Sequence, residues 1–477
     1  MSERLPTIWM NVTTSANWQR PPVGIVRVEC SLRDELAKLY GSRFKQCVWQ
    51  GEKFVEWVPQ LAAVDGEKPA KRRAESTNHL ALPMMFPILP KKQAFLALGQ
   101  GLLSLTPSWV RPSFNRFLYR VRPIIARVLA SARTRRLIAR LRARASAYTG
   151  VVPVSMPKGS GSPVPGTLFS PGDVLISVGM DWDYPYYKQF YDLRKRVGVK
   201  VVTCCYDLIP VLYPQYCVND VAKLFTSYFL DVADGSDLIL CISKQSEKDL
   251  SAMLYDTGGA RPLTRVFPMG DNVPLSTTEV LSPEVRSICR EPFILFVSTI
   301  ERRKNHEVLY RAYHLLCSQG KRAKLPKLVF VGMQGWGVAE LMRDIELDPL
   351  TNGLIVRLNY VSDAELRALY EAAQFCVFPS LYEGWGLPVG EALSLGKAVI
   401  CSNRGSLPEV GGELVTYINP WDPQAWADEI YRMVTDPEFL RNLETKVRNE
   451  YQSRTWSDAA ASVKDAIDSL LIQGQYE

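Results

Sequence analysis

Glu383 and Glu391 stand eight positions apart, with Gly384, Gly386 and Pro388 between them. The glycines predict a tight turn. Pro388 suits the first position of a helix, where its missing N–H would have no partner. Glu383 is then expected on the loop and Glu391 in the first helical turn, both near free backbone N–H groups. Those groups hold phosphate and carboxylates accept hydrogen bonds from hydroxyls, which suits an anionic, hydroxyl-rich ligand. For an isolated pair, a plain βα loop with Glu391 offsetting the helix dipole is the simpler account. Arg302, Arg303 and Lys304 form a second group between a predicted strand and a predicted helix. An arginine fork beside a lysine point charge suits a diphosphate, and a solvated charge cluster is the alternative. Asp207 follows Tyr206 just past a strand, the position of an Asx turn. Asp181 and Asp183 flank Trp182. Hard metals want clustered oxygen ligands, but two carboxylates alone point to a polar loop or a contact with an acceptor.

The elements that must position these groups follow from the apolar pattern. Residues 5–12 read as a strand and 24–41 as a helix, with Val28, Leu32, Leu36 and Leu39 on one face. Gly24 at that helix's start could approach a phosphate closely, or simply close a βα turn. Residues 47–49 and 54–57 read as a hairpin or two short strands. Further strands are predicted at 173–179, within VKVVTCC, within SDLILC and at 265–270. A loop and helix follow the first of these, and Ser243 caps a helix after the third. A linker is expected around 276–291. Beyond it, strands at 292–297, 328–332, 354–358, 375–378 and 397–401 alternate with helices. Ser362 and Glu365 carry a capping-box pattern. Such alternation predicts two parallel sheets covered by helices on both faces, with ligands at the C-terminal ends of strands. Residues 456–471 read as a closing helix.

A length of 477 residues predicts two to three domains. The ten cysteines include no C-x-x-C pair, and His79, His306 and His314 are the only histidines, so a structural zinc site is not expected. Free thiols suit the reducing cytoplasm, and the first residues show no apolar leader run. Net charge is +8, yet residues 76–171 hold no acid and carry +14, leaving −6 for the remainder. Within that stretch, 114–132 and 135–148 are basic and amphipathic, with Pro123 predicting a kink. Residues 111–148 are expected on an anionic membrane surface, placing the chain at the inner face of the cell membrane. An insert packed on the protein's own surface is the alternative. No nucleic-acid module accompanies the arginines, so no nucleic-acid partner is expected. No apolar run reaches the ~20 residues of a membrane span. Residues 151–172, rich in Pro, Gly and Ser, read as a flexible linker.

The stretch PSLYEGWGLPVGEALSLGKAVICSNRGSLPEV resembles the donor-sugar signature of the retaining family-4 glycosyltransferases of GT-B fold, the glycosyl transferases group 1. Glu383 and Glu391 occupy its two glutamate positions. STIERRKN resembles the family's diphosphate loop, with Arg303 and Lys304 as its basic pair and Thr299 where many members have another arginine. The stretch around Gly24 resembles the N-terminal loop near donor diphosphate and acceptor. CCYDLIPVLYP resembles a segment lining the cleft near the reacting sugar, with Tyr206 in place of a histidine beside Asp207.

This resemblance implies an α/β GT-B fold of two Rossmann-like domains facing a cleft. Residues 1–280 would form the acceptor domain with an insert at about 62–172, residues 281–454 the nucleotide-sugar domain, and 455–477 a helix returning to the first. The implied reaction is metal-independent, cofactor-free hexosyl transfer with retention from a nucleotide diphosphate sugar. Glu383, Asp207, Lys304 and Arg303 would be catalytic. Glu391, Gly384, Trp385, Gly386, Leu387, Gly24 and Thr299 would meet the donor. Tyr206, with Asp181 from the earlier polar loop, is expected on the acceptor side. Mannosyl- and rhamnosyltransferase-like members that build surface polysaccharides look most similar, which suggests a GDP-sugar and a glycan or lipid-linked glycan acceptor. The rivals are a membrane-docked scaffold without activity and another GT-B enzyme such as an epimerase or phosphorylase. The presence of Glu383 and Lys304 counts against the scaffold.

Overall fold

The structure is a computed structural model, and it describes residues 4–19, 22–58, 167–217, 221–273 and 280–473. The basic stretch 111–148, and with it the expected membrane contact, lies outside the described residues.

Short runs rich in Val, Ile, Leu and Cys build a first sheet. Its strands are Ile8–Asn11 (β1), Phe44–Gln50 (β2), Lys53–Trp57 (β3), Val174–Ser177 (β4), Lys200–Cys205 (β5), Leu238–Cys241 (β6) and Leu263–Val266 (β7). Their order is β3-β2-β1-β4-β5-β6-β7. Gly51 and Glu52, both at positive φ, close the antiparallel β2–β3 hairpin. All other neighbours are parallel. The second sheet has Phe293–Val297 (β8), Lys327–Val331 (β9), Ile355–Leu358 (β10), Phe375–Phe378 (β11), Val399–Ser402 (β12) and Thr416–Ile418 (β13). Its order is β10-β9-β8-β11-β12-β13, parallel throughout. Every residue of β1, β4, β6, β11 and β12 is buried, as parallel strands covered on both faces require. Each sheet reverses its strand order once, between β1 and β4 and between β8 and β11. In doubly wound folds, ligands bind at such a reversal, outside the C-terminal ends of the strands.

Helix Gly24–Tyr40 (α1) crosses from β1 to β2 and buries Val28, Leu32 and Leu36. Each such side chain contributes ~1.5–3 kcal/mol. Tyr40 completes this face, because one more helical turn from Leu36 falls on it rather than on Leu39, which is exposed. The first sheet also carries Val221–Gly235 (α2) and Lys244–Thr257 (α3). The second carries His306–Ser318 (α4), Ala339–Leu347 (α5), Asp363–Ala372 (α6), Leu387–Ser394 (α7), Pro423–Thr435 (α8) and Pro437–Glu450 (α9). The capping box of Ser362 and Glu365 is formed at the start of α6. Ser243 Oγ accepts from the Ser246 amide at 2.9 Å and caps α3. The last helix, Trp456–Gln473 (α10), returns to α1, where Tyr40 donates to Asp468 at 3.3 Å.

Four local expectations are corrected. The strand predicted at 265–270 is Leu263–Val266 instead. Beyond it Phe267 and Met269 turn into the core, Gly270 abuts Trp456, and the Asp271 amide bonds the Arg454 carbonyl. The helix expected after β4 is irregular, starting at Pro185 after a short turn at Asp181–Asp183 and running to Val197 as 3-10, α and π pieces in succession. The supposed linker at 151–172 is packed from 167 onward: Phe169 is buried edge-on against Trp9 and Phe54. The supposed linker at 276–291 contains the helix Pro283–Ile288, capped by Ser282.

Candidate active site

The loops after β8 and β11 emerge side by side, because those two strands are neighbours. After β8 a short turn carries Arg302, Arg303 and Lys304. Asn305 ends it in the left-handed region, and its amide group donates to the carbonyls of Pro379 and Pro420. The Leu381 amide donates to the Arg303 carbonyl at 2.8 Å. The basic turn and the acidic loop are thus stitched together through backbone before any charge is considered.

Their side chains complete the joint. Lys304 Nζ lies 2.6 Å from Glu383 Oε1, and Arg303 lies 2.9 Å from Glu383 Oε2. Arg303 also pairs with Glu301 at 2.7 Å and donates to the Tyr382 carbonyl at 2.8 Å. Glu383 is only 6% exposed. Burial alone would raise its carboxyl, but Arg303 and Lys304 outweigh this and bring it down to about 2. Burial lowers the Lys304 ammonium, with Glu383 opposing. Two cations and two buried carboxylates therefore form a compensated network that a diphosphate would reorganise.

Asp207, on the loop after β5, faces the same network. Its Oδ1 accepts from the Ile209 amide at 2.9 Å, so it is an Asx-turn residue. Burial raises its carboxyl, while Arg303 draws it down. A Cβ at Gly384 would lie 2.5 Å from the Tyr206 carbonyl and 2.8 Å from Asp207 Cβ. Glycine is what lets the acidic loop touch the loop after β5. Gly386, at φ +116°, then turns the chain into α7. Ser406 Oγ donates to the carbonyls of Glu383 and Trp385 and holds this loop from below. Trp385 is buried, with Arg454 over its ring, and Leu387 opens the helix.

Glu391 lies in the second turn of α7, not the first, because the helix starts at Leu387. Its role is therefore not that of a first-turn dipole partner. Oε1 pairs with Arg27 at 3.3 Å and Oε2 accepts from Tyr370 at 2.9 Å. Gly24 is exposed at φ +52°, one turn before Arg27. Thr299 and Arg302 are exposed on the loop after β8.

Two residues expected to face an acceptor do not present their polar groups to one. The Tyr206 phenol is buried and donates to the Val178 carbonyl. Asp181 is 1% exposed, and its Oδ1 accepts from Ser177 and Tyr186, each at 2.7 Å. Burial pushes its carboxyl up to about 7. It pins the turn after β4 from inside. Among the described residues, no group of three His, Cys, Asp or Glu side chains could hold a metal ion.

Sequence reasoning missed the contacts that tie the two sheets' loops together. Tyr382 donates to Asp249 at 2.5 Å. The Glu409 carboxylate accepts from the amides of Lys244 and Gln245, both at 2.8 Å, at the start of α3. Arg27 pairs with Asp363 at 2.6 Å as well as with Glu391. None has a local signature. A charge at Arg27 between buried Val26 and Val28 was the nearest available sign.

Two doubly wound sheets, each with one switch point, define the GT-B fold, and in the second sheet a basic loop and an acidic loop meet at that point. The family model of the glycosyl transferases group 1 matches residues 280–450. The chain is 29% identical over 289 residues to O-antigen chain mannosyltransferase B of Escherichia coli, covering 60% of this chain and 75% of that one. It is 28% identical over 286 residues to the serotype-specific mannosyltransferase WbdA of Escherichia coli, covering 59% of this chain but only 35% of WbdA. Sucrose-phosphate synthase from Thermosynechococcus elongatus shares the fold at a TM-score of 0.55 and 18% identity, covering 98% of this chain and 100% of that one. Anabaena Alr3699/HepE in complex with UDP does so at 0.54 and 14%, with the same coverage.

Proposed function

We propose that this chain transfers a hexose, mannose or rhamnose, from a nucleotide diphosphate sugar to a glycan or lipid-linked glycan acceptor in surface-polysaccharide assembly. A GDP-sugar is the first choice of donor. The observation that carries this reading is the ion-paired joint of Lys304 and Arg303 with Glu383 at the β8–β11 switch point. Its similarity to mannosyltransferases supports the choice of sugar.

The chemistry follows from those groups. The bond between sugar C1 and the phosphate oxygen breaks, and a bond from the acceptor oxygen to C1 forms on the same face. The acceptor proton goes to the departing phosphate. Negative charge grows on the diphosphate as the C1–O bond opens. Lys304, Arg303 and the N-terminus of α7 are placed to stabilise it, so the reading needs no metal. Glu383 stays ionised at neutral pH, which makes it a poor base and a good acceptor of hydrogen bonds from sugar hydroxyls. Asp207 faces the reacting sugar from the opposite loop, and Glu391 meets the ribose.

The chain works at the cytoplasmic face of the membrane, with residues 111–148 on anionic lipid. Among the described residues, no helix is long and apolar enough to cross a membrane. A thermal-shift panel of GDP-, UDP-, dTDP- and ADP-sugars tests the donor. GDP-mannose or a related GDP-sugar should give the largest stabilisation, and a larger shift with another base would displace it. Turnover measured with and without EDTA tests the metal-free mechanism.

A further inference from the structure

Arg27 belongs to α1, against the first sheet, yet both of its ion-pair partners belong to the second. Its side chain is 14% exposed. Nη2 lies 2.6 Å from Asp363 Oδ1 at the start of α6, and Nη1 lies 3.3 Å from Glu391 Oε1 on α7. The shorter pair anchors the guanidinium at half-exposed Asp363, and the longer one reaches the buried carboxylate. Tyr370 holds the other oxygen of Glu391 at 2.9 Å. A carboxylate oxygen has two lone pairs. Arg27 and Tyr370 each use one, on different oxygens, and so fix the carboxylate plane while leaving one lone pair on each oxygen. Two adjacent hydroxyls, as in the cis-diol of ribose, match that remainder.

We infer that Arg27 is a positioning residue for the donor ribose, orienting Glu391 across the cleft so that ribose recognition is complete only when α1 lies against the second sheet's helices. This rests on the reading of Glu391 as the ribose contact. The charged and titratable groups facing Glu391 are Arg27 from α1, Tyr370 and Asp363 from α6, and Asp271 from the segment after β7. Burial raises the Glu391 carboxyl, Arg27 and Tyr370 lower it, and Asp363 and Asp271 raise it further. Arg27 is the sole cation of that set. Without it the carboxyl gains a proton at higher pH, and a protonated carboxyl accepts the diol less well.

The test is calorimetric titration of the full chain with GDP and UDP, each beside its 2′,3′-dideoxy analogue. The wild type should prefer whichever ribonucleotide it binds over the analogue by about tenfold or more, since hydrogen bonds to a charged group are strong. Arg27→Ala and Asp363→Ala should bring this preference to within about threefold while leaving affinity for the analogue unchanged. Arg27→Lys should restore part of it. In Arg27→Ala, ribonucleotide affinity should also begin to fall at higher pH on acidification. Equal weakening of nucleotide and analogue, with an unmoved pH profile, would mean a merely structural role and overturn the inference. Glu391→Ala separates the two levels. If it loses the preference while Arg27→Ala keeps it, the inference fails alone. If Glu391→Ala keeps it, or if the wild type binds neither ribonucleotide, the ribose reading of Glu391 fails and takes the inference with it.

Discussion

Lys304 and Glu383 lie 2.6 Å apart, seventy-nine positions distant in sequence, because β8 and β11 are neighbours in the second sheet. Arg303 grips the other oxygen of the same carboxylate. The joint is buried, so its charges are costly to separate and sensitive to protonation.

Acid stability should report the joint directly. The Glu383 carboxyl is depressed from 4.5 to about 2, so the folded state binds its proton less readily than the unfolded chain. The resulting stability is present above about pH 4.5 and is lost as pH falls through about 2. Urea unfolding of the wild type should lose about 2 kcal/mol more than Glu383→Gln between about pH 6 and about pH 3. Equal slopes in the two proteins would contradict the pairing.

Gly384→Ala places a methyl 2.5 Å from the Tyr206 carbonyl. The acidic loop must then back away from Asp207, at a cost of about 1–3 kcal/mol. Steady-state kinetics should show turnover down by about tenfold or more, with a folded protein by circular dichroism.

Glu409 caps α3 from the opposite sheet's loops, accepting from two amides. Glu409→Ala should cost about 1 kcal/mol, as lost N-caps do. Hydrogen exchange should accelerate at the Lys244 and Gln245 amides and leave β6 unchanged.

Deleting residues 111–148 removes all eleven arginines of the basic stretch. At ~1 kcal/mol per basic residue near an anionic surface, sedimentation with phosphatidylserine vesicles should fall to background. Undiminished sedimentation of the deleted form would refute the membrane contact.

The parts of the site that were legible in the sequence are those where chemistry is local. Pro388 after two glycines announces a helix start, and Arg303-Lys304 past a strand end announces a basic turn at that strand's C-terminal end. The parallel sheets were legible because their buried strands are short apolar runs punctuated by capped helices. What stayed hidden depends on distant packing. Nothing near Asp181 reveals that Ser177 and Tyr186 will turn it inward, and nothing near Tyr206 marks its phenol for the Val178 carbonyl. The end of β7 is decided by Trp456 and Arg454, nearly two hundred positions away. The helices α2, α8 and α9 lie outside the sequence-based expectations, although Asp422 and Asp436 stand as N-caps before Pro423 and Pro437.

Turnover and nucleotide binding, measured together on Glu383→Gln and Lys304→Ala, test the central account. The donor is the nucleotide sugar that stabilises the wild type most. Lys304→Ala should lose both nucleoside-diphosphate affinity and turnover. Glu383→Gln should bind the nucleoside diphosphate nearly as the wild type does, yet turn over about 10²–10³-fold more slowly. Undiminished turnover in either folded variant would contradict the assignment of this joint as the donor site.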